Sequence, residues 1–240
     1  MLRHYTIFRK QLNELPRGRQ IVINTLNQYS FCIAEEDPVF KESLQKADVL
    51  LPDGVGITAA YRFLYKQSIR KIAGADLHQF FLAELNRTGG SCFYMGSSET
   101  TLLKIKERIQ KEYQNINLQT YSPPFKKEFS EEDNQTILAA INAFQPDVLF
   151  VGLTAPKQEK WVHIHRHNLN AGYICSIGAV FDFFAGTVER PSNIWIQLGL
   201  EWLGRLLKEP KRMWKRYLYY GPVYVGYLLK EKFQKNETAK

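Results

Sequence analysis

An aspartate, Asp53, follows an apolar run and precedes two closely spaced glycines in ADVLLPDGVG. Glycines let a ligand approach the backbone closely, and a carboxylate there could take a proton from an attacking hydroxyl. The same spacing suits an N-cap for a helix opening near Val55, so Asp53 reads as base or cap. Thr25 and Asn27 end another apolar run, where both are ordinary turn residues as well as possible ligand contacts. Gly96, in MGSS, opens a helical pattern whose free N–H groups could meet an anion, although no Walker or GxGxxG pattern is present. Asp182 could hold ribose hydroxyls or close a turn. His163, His165 and His167 alternate along a helical pattern and so point different ways, which argues against a metal site.

The richest chemistry lies near the end of the chain. Ten basic residues against three acidic ones from Arg205 onward carry +7 of the formal net charge of +8. Arg212 and Arg216 stand four apart on a helix opened by Glu209 and Pro210, and Arg205 ends the helix before it. Converging guanidiniums of this kind can grip a diphosphate through paired N–H groups. Trp202, Trp214, Tyr217, Leu218, Tyr219, Tyr220, Tyr224 and Tyr227 interleave with them, a mixture favoured at bilayer interfaces. A helix packed on the body with its basic face in water is the plainer reading. Nucleic acid is disfavoured as a partner, because no RNP, KH or helix-turn-helix pattern occurs.

These residues need elements to hold them. At 240 residues, 45% hydrophobic and 23% charged, the chain can bury a full core. Strands are expected at 20–25, 48–51, 91–95, 117–121, 147–151 and 173–177. Helical patterns fall between them, near 38–45, 55–64, 77–85, 99–113, 131–143 and 157–168. Strand runs such as PDVLFV are apolar on both faces, as in a parallel sheet covered on both sides. The expected fold is therefore a Rossmann-like, doubly wound α/β body over residues 1–190, its sheet mainly parallel. A helical, basic-aromatic appendage would occupy 191–240. No run of about 20 apolar residues could cross a membrane, and the charged N-terminal stretch lacks a signal-peptide core. Three scattered cysteines fit a reducing cytoplasm.

Taken together, INTLN, ADVLLPDGVGI, RKIAGADL, FYMGSS, PDVLFVGLTAPKQEKW, SIGAVFDFFAGTVERP and GLEWLGRLLKEPKRMWKRY resemble the WecG/TagA/CpsF family of bacterial glycosyltransferases, over nearly the whole chain. The resemblance implies inverting, metal-independent transfer of N-acetylmannosamine, its uronic acid or another hexose. The donor would be a UDP-sugar. The acceptor would be a polyprenyl-diphosphate-linked saccharide at the cytoplasmic face of the membrane, during teichoic acid, enterobacterial common antigen or exopolysaccharide assembly. It implies Asp53 as base with Thr25 and Asn27 beside it, and Arg70 in the site. Tyr121, Gln158 and Asp182 would contact uridine and ribose, and Arg205, Arg212 and Arg216 would close over the diphosphate. No DxD pattern is present to hold a divalent metal, so fixed cations would meet the leaving charge. The VERP link and the GLTAPKQE stretch depart from the family's usual pattern without removing a polar group. A non-catalytic nucleotide- or lipid-binding module is the alternative, and self-association away from the membrane stays open.

Overall fold

The segments Ile21–Leu26 (β1), Val49–Pro52 (β2), Ser91–Gly96 (β3), Asn117–Tyr121 (β4), Val148–Gly152 (β5) and Tyr173–Ser176 (β6) pair side by side, all parallel, in the order β2-β1-β6-β5-β3-β4. The computed structural model describes residues 1–189, 195 and 200–237. Buried strands explain the continuous apolar runs. Val49, Leu50, Leu51 and Pro52 are all buried, as are Val148 to Val151.

Alternate strand residues serve opposite faces. Ile23, Tyr94, Phe150 and Cys175 join one core with Gly74–Thr88 (α4 in chain order), Glu99–Glu112 (α5) and Val180–Ala185 (α8). Val22, Phe93, Leu149, Val151 and Ile174 join a second core with Glu131–Phe144 (α6) and Lys157–His165 (α7). A third core, around Leu26 and Leu50, is closed by Gln28–Glu36 (α1), Pro38–Gln45 (α2) and Val55–Tyr65 (α3).

The expected strands and helices appear with shifts of a few residues at their ends. The α1 helix was not expected. It begins directly after β1 because the Asn27 side chain accepts from the N–H groups of Tyr29 and Ser30 (3.1 and 3.0 Å), while the Ser30 hydroxyl accepts the Asn27 N–H. The SIGAVFDFFAG stretch, where no helix was expected, holds α8, which Gly186 ends in the left-handed region (φ 69°).

Beyond residue 200 come Glu201–Lys208 (α9), Pro210–Trp214 (α10), a π-helical turn at Lys215–Tyr219, and Tyr220–Glu237 (α11). The expected boundary at 190/191 falls outside the described residues. The α11 helix lies along α1 and α3 and completes the third core with Tyr220 and Tyr224, the latter 4% exposed. Tyr224 donates its hydroxyl to the Gly56 carbonyl at 3.1 Å. The buried Glu231 carboxylate accepts from the N–H groups of Leu2 and Arg3 and from the Tyr65 hydroxyl. The interfacial role expected of Tyr220 and Tyr224 is thus replaced by core packing, and half-buried Tyr227 sits edge-on to Phe31. Among the described residues, no helix is long and apolar enough to cross a membrane.

Candidate active site

An open pocket of about 1020 Å³, mouth included, lies at the carboxyl ends of β1, β2 and β6 and is roofed by α9 and the π turn. Open parallel sheets bind ligands at that edge. Of the candidate site residues read from sequence, Thr25, Asn27, Asp53, Arg205 and Arg216 line it, as do Trp202 and Tyr217, which were expected at a bilayer interface.

Asp53 leaves β2 with its N–H bonded to the Leu26 carbonyl at 2.8 Å. Gly54, at φ 92°, takes the N-cap position of α3, and no side chain caps that helix. Only glycine adopts this conformation cheaply, so the glycine frees the aspartate from the capping role. Burial pushes the Asp53 carboxyl up to about 6, and the nearby Glu201 carboxylate pushes the same way. Lys71 and Arg205 oppose them, and Asp76 adds a smaller upward push. The result is a carboxylate that is ionised yet basic near neutral pH, which general base chemistry needs.

Thr25, the last residue but one of β1, lies opposite Leu51 of β2. The Asn27 carboxamide oxygen is committed to capping α1, so its NH2 group is the part available to a ligand. Arg205, on α9, holds its guanidinium carbon 5.4 Å from the centre of the Phe183 ring. Arg216, in the π turn, sits 4.7 Å from the Tyr29 ring centre. A π turn widens the helix by one residue, a local distortion frequent at functional sites. Here both Arg216 and its neighbour Tyr217 reach the pocket. Arg212 lies in α10, and its side chain is outside the described residues.

Arg70 is exposed and absent from the pocket; the next residue, Lys71, lines it and pairs with Glu201 at 3.3 Å. Consecutive side chains of an extended segment point opposite ways, which the doublet Arg70-Lys71 does not disclose. Sequence reasoning missed Glu201, Tyr29 and Phe183 and read Trp202 as an interfacial ring; all four line the pocket. Trp202 and Tyr217 meet at 5.7 Å between ring centres.

Gly96, Tyr121, Gln158 and Asp182 stand apart from this pocket, at the carboxyl ends of β3 to β6. The connections leaving β5 and β3 run in opposite directions, so the crevice between those strands is a topological switch point. Gly96 (φ 121°) faces Gly152 across it, and a Cβ on Gly96 would lie 2.6 Å from the Gly152 carbonyl oxygen. Tyr121 closes the outermost strand, half-buried against the second core. Gln158 is buried beneath the Gly178 turn and donates to Glu159 at 2.8 Å. Burial pushes the Glu159 carboxyl up to about 7. The Asp182 carbonyl accepts from the N–H groups of Thr187 and Val188, which closes the turn after α8.

The histidines go to separate partners. His163 faces Glu42 at 4.0 Å and His165 rests against Trp161. Cys32, Cys92 and Cys175 are buried free thiols.

With this geometry in view, the family model described as "Glycosyl transferase WecG/TagA/CpsF family" matches residues 4–238. The chain is similar to the N-acetylglucosaminyldiphosphoundecaprenol N-acetyl-beta-D-mannosaminyltransferase of Bacillus spizizenii (strain ATCC 23059 / NRRL B-14472 / W23). The two are 32% identical over 216 residues, 90% of this chain and 81% of the relative. The protein of the same name from Bacillus subtilis (strain 168) is 32% identical over 214 residues, 89% of this chain and 81% of its own.

Proposed function

The chain belongs to the WecG/TagA/CpsF family and is a glycosyltransferase, and from that premise we propose that it moves N-acetylmannosamine or a related hexose from a UDP-sugar to a polyprenyl-diphosphate-linked saccharide. One observation carries the reading: a carboxyl poised near 6 shares a pocket with Lys71, Arg205 and Arg216. In an inverting transfer, the acceptor hydroxyl forms the new bond to the anomeric carbon while the bond to UDP breaks on the opposite face. Asp53 takes the hydroxyl proton. Negative charge grows on the departing diphosphate, and fixed cations stabilise it most when they are already in place. Arg205, Arg216 and Lys71 supply that charge without a metal ion. Thr25 and the Asn27 NH2 group orient the reacting sugars, and the nucleoside would lie toward the β5–β3 switch point, where open sheets of this kind bind ligands.

The C-terminal helices would also rest on the membrane that carries the acceptor. Trp214 and Leu218 stand four apart, and Val225, Leu229 and Phe233 repeat every four residues, all of them exposed. Lys211, Lys215 and Lys230 stand exposed among them. An apolar stripe edged by lysines suits an anionic interface, here the cytoplasmic face of the cell membrane.

Incubation with a panel of UDP-sugars and a polyprenyl-diphosphate-linked N-acetylglucosamine acceptor tests the activity. Acceptor-dependent UDP release is expected with one donor. Release of UDP with none of them would refute the assignment.

A further inference from the structure

The π turn at Lys215–Tyr219 brings two consecutive side chains, Arg216 and Tyr217, to the pocket wall. Neighbours on a regular α-helix point about 100° apart, so a widened turn is what lets both face one cavity. Tyr217 is half-buried there, and its ring leans on Trp202 with 58° between the planes. Trp202 belongs to α9, so two elements of the roof fix the tyrosine.

The ring has a packing task, but the hydroxyl does not. Tyrosines shielded from water usually pair their O–H with the protein. Tyr5 donates to Glu35, Tyr65 to Glu231 and Tyr224 to the Gly56 carbonyl, and the Tyr94 hydroxyl meets His78. Among the described residues, no hydrogen-bond partner meets the Tyr217 hydroxyl. Its surroundings are charged instead. Burial is the largest influence and holds the phenol above its usual range; Arg205 and Arg216 oppose it, while Glu201 and Asp53 reinforce it. At neutral pH the phenol therefore keeps its proton and is a donor. A group that feels both the base and the cations stands between them, where the bond to the leaving group must break.

We propose that Tyr217 is a further catalytic residue, its O–H donating to the phosphate oxygen that the sugar leaves. This rests on the UDP-sugar transfer proposed above. The electron pair of the breaking carbon–oxygen bond passes to that oxygen, and the acceptor's proton passes to Asp53. The tyrosine keeps its own proton throughout. In the intact donor this oxygen is an ester bridge with little charge, and in the product it is a charged phosphate oxygen. A donor aimed at it strengthens as the bond breaks, so it speeds the chemical step more than it tightens substrate.

Steady-state kinetics of the full chain test the proposal, with donor and acceptor varied and UDP as product inhibitor. Tyr217→Phe removes one oxygen and keeps the ring on Trp202. It should lower kcat about 10- to 150-fold, the span of a hydrogen bond to a charged group. The donor KM should stay within about threefold, whereas the inhibition constant of UDP should rise about 10-fold or more. The melting temperature should not move, because the hydroxyl supports no protein contact. An unchanged kcat would overturn the proposal. So would a kcat loss that tracks a lowered melting temperature, which would make the hydroxyl structural. A loss confined to the acceptor KM, with UDP inhibition unmoved, would assign the hydroxyl to the acceptor and overturn it too. Replacing Tyr217 by a trifluorinated tyrosine keeps the ring but lets the phenol ionise more readily. The alkaline limb of the rate profile should then move to lower pH, and an unmoved limb would count against an O–H donor. If the parent chain releases UDP with no donor sugar, the transfer reading itself falls. If the parent is active and Tyr217→Phe is silent, only the tyrosine's role falls.

Discussion

Asp53 owes its chemistry to neighbours distant in sequence. Burial and the Glu201 carboxylate raise it to about 6, so the acid limb of the rate profile should rise through pH 6 as the base ionises. Asp53→Asn should abolish transfer while leaving UDP binding nearly intact, and full activity in that variant would remove it as the base. Glu201→Gln deletes a neighbouring negative charge, so the limb should move to lower pH; an unmoved limb in a pH–rate series would contradict the electrostatic account. Glu159 makes a stability prediction of defined sign. Its folded value of about 7 exceeds the ordinary 4.5, so the folded state holds the proton longer, and stability falls as pH rises from about 4.5 to 7. The loss is on the order of 3 kcal/mol. Denaturant unfolding should therefore find Glu159→Gln more stable than the parent at pH 8 and nearly equal at pH 4. Asp53 was visible from sequence as an isolated carboxylate beside glycines. Its freedom from capping was not, because that depends on the φ of Gly54.

Among elements, the C-terminal helices are joined to the body by core contacts. Tyr224 fills the third core and bonds to Gly56, whose helix starts beside Asp53. Tyr224→Ala should cost about 3 kcal/mol, as large aromatic truncations do, and should depress kcat by loosening α9 and the π turn. Thermal melting together with kinetics checks both, and a stable, fully active variant would argue against coupling. The strands were readable because a buried parallel strand must be apolar on both faces. The α1 helix was hidden because its cap residue, Asn27, is also an ordinary turn residue directly after a strand. The aromatics of residues 202–227 were read as one membrane-facing set, whereas they divide among core, pocket and surface. Tyrosine suits all three places, so composition cannot sort them.

For the whole molecule, the exposed stripe on the C-terminal helices and the net charge of +8 predict binding to anionic vesicles that weakens with salt. Replacing Leu218 and Phe233 with glutamate should reduce vesicle sedimentation without lowering the melting temperature, since both side chains already face solvent. Undiminished sedimentation would place the membrane contact elsewhere. The layered α/β plan and the parallel sheet were determined by sequence alone, because periodicity is a local property, and the strand-end residues Thr25, Asn27 and Asp53 were legible for the same reason. Family membership followed from ordered motifs along one dimension. Tertiary structure alone decided that Lys71 and not Arg70 enters the pocket, that Glu201 tunes Asp53, and that Tyr29 and Phe183 lie against the arginines. Each of those facts is a distance between residues far apart in the chain, or the direction of a side chain, and neither is written in local spacing.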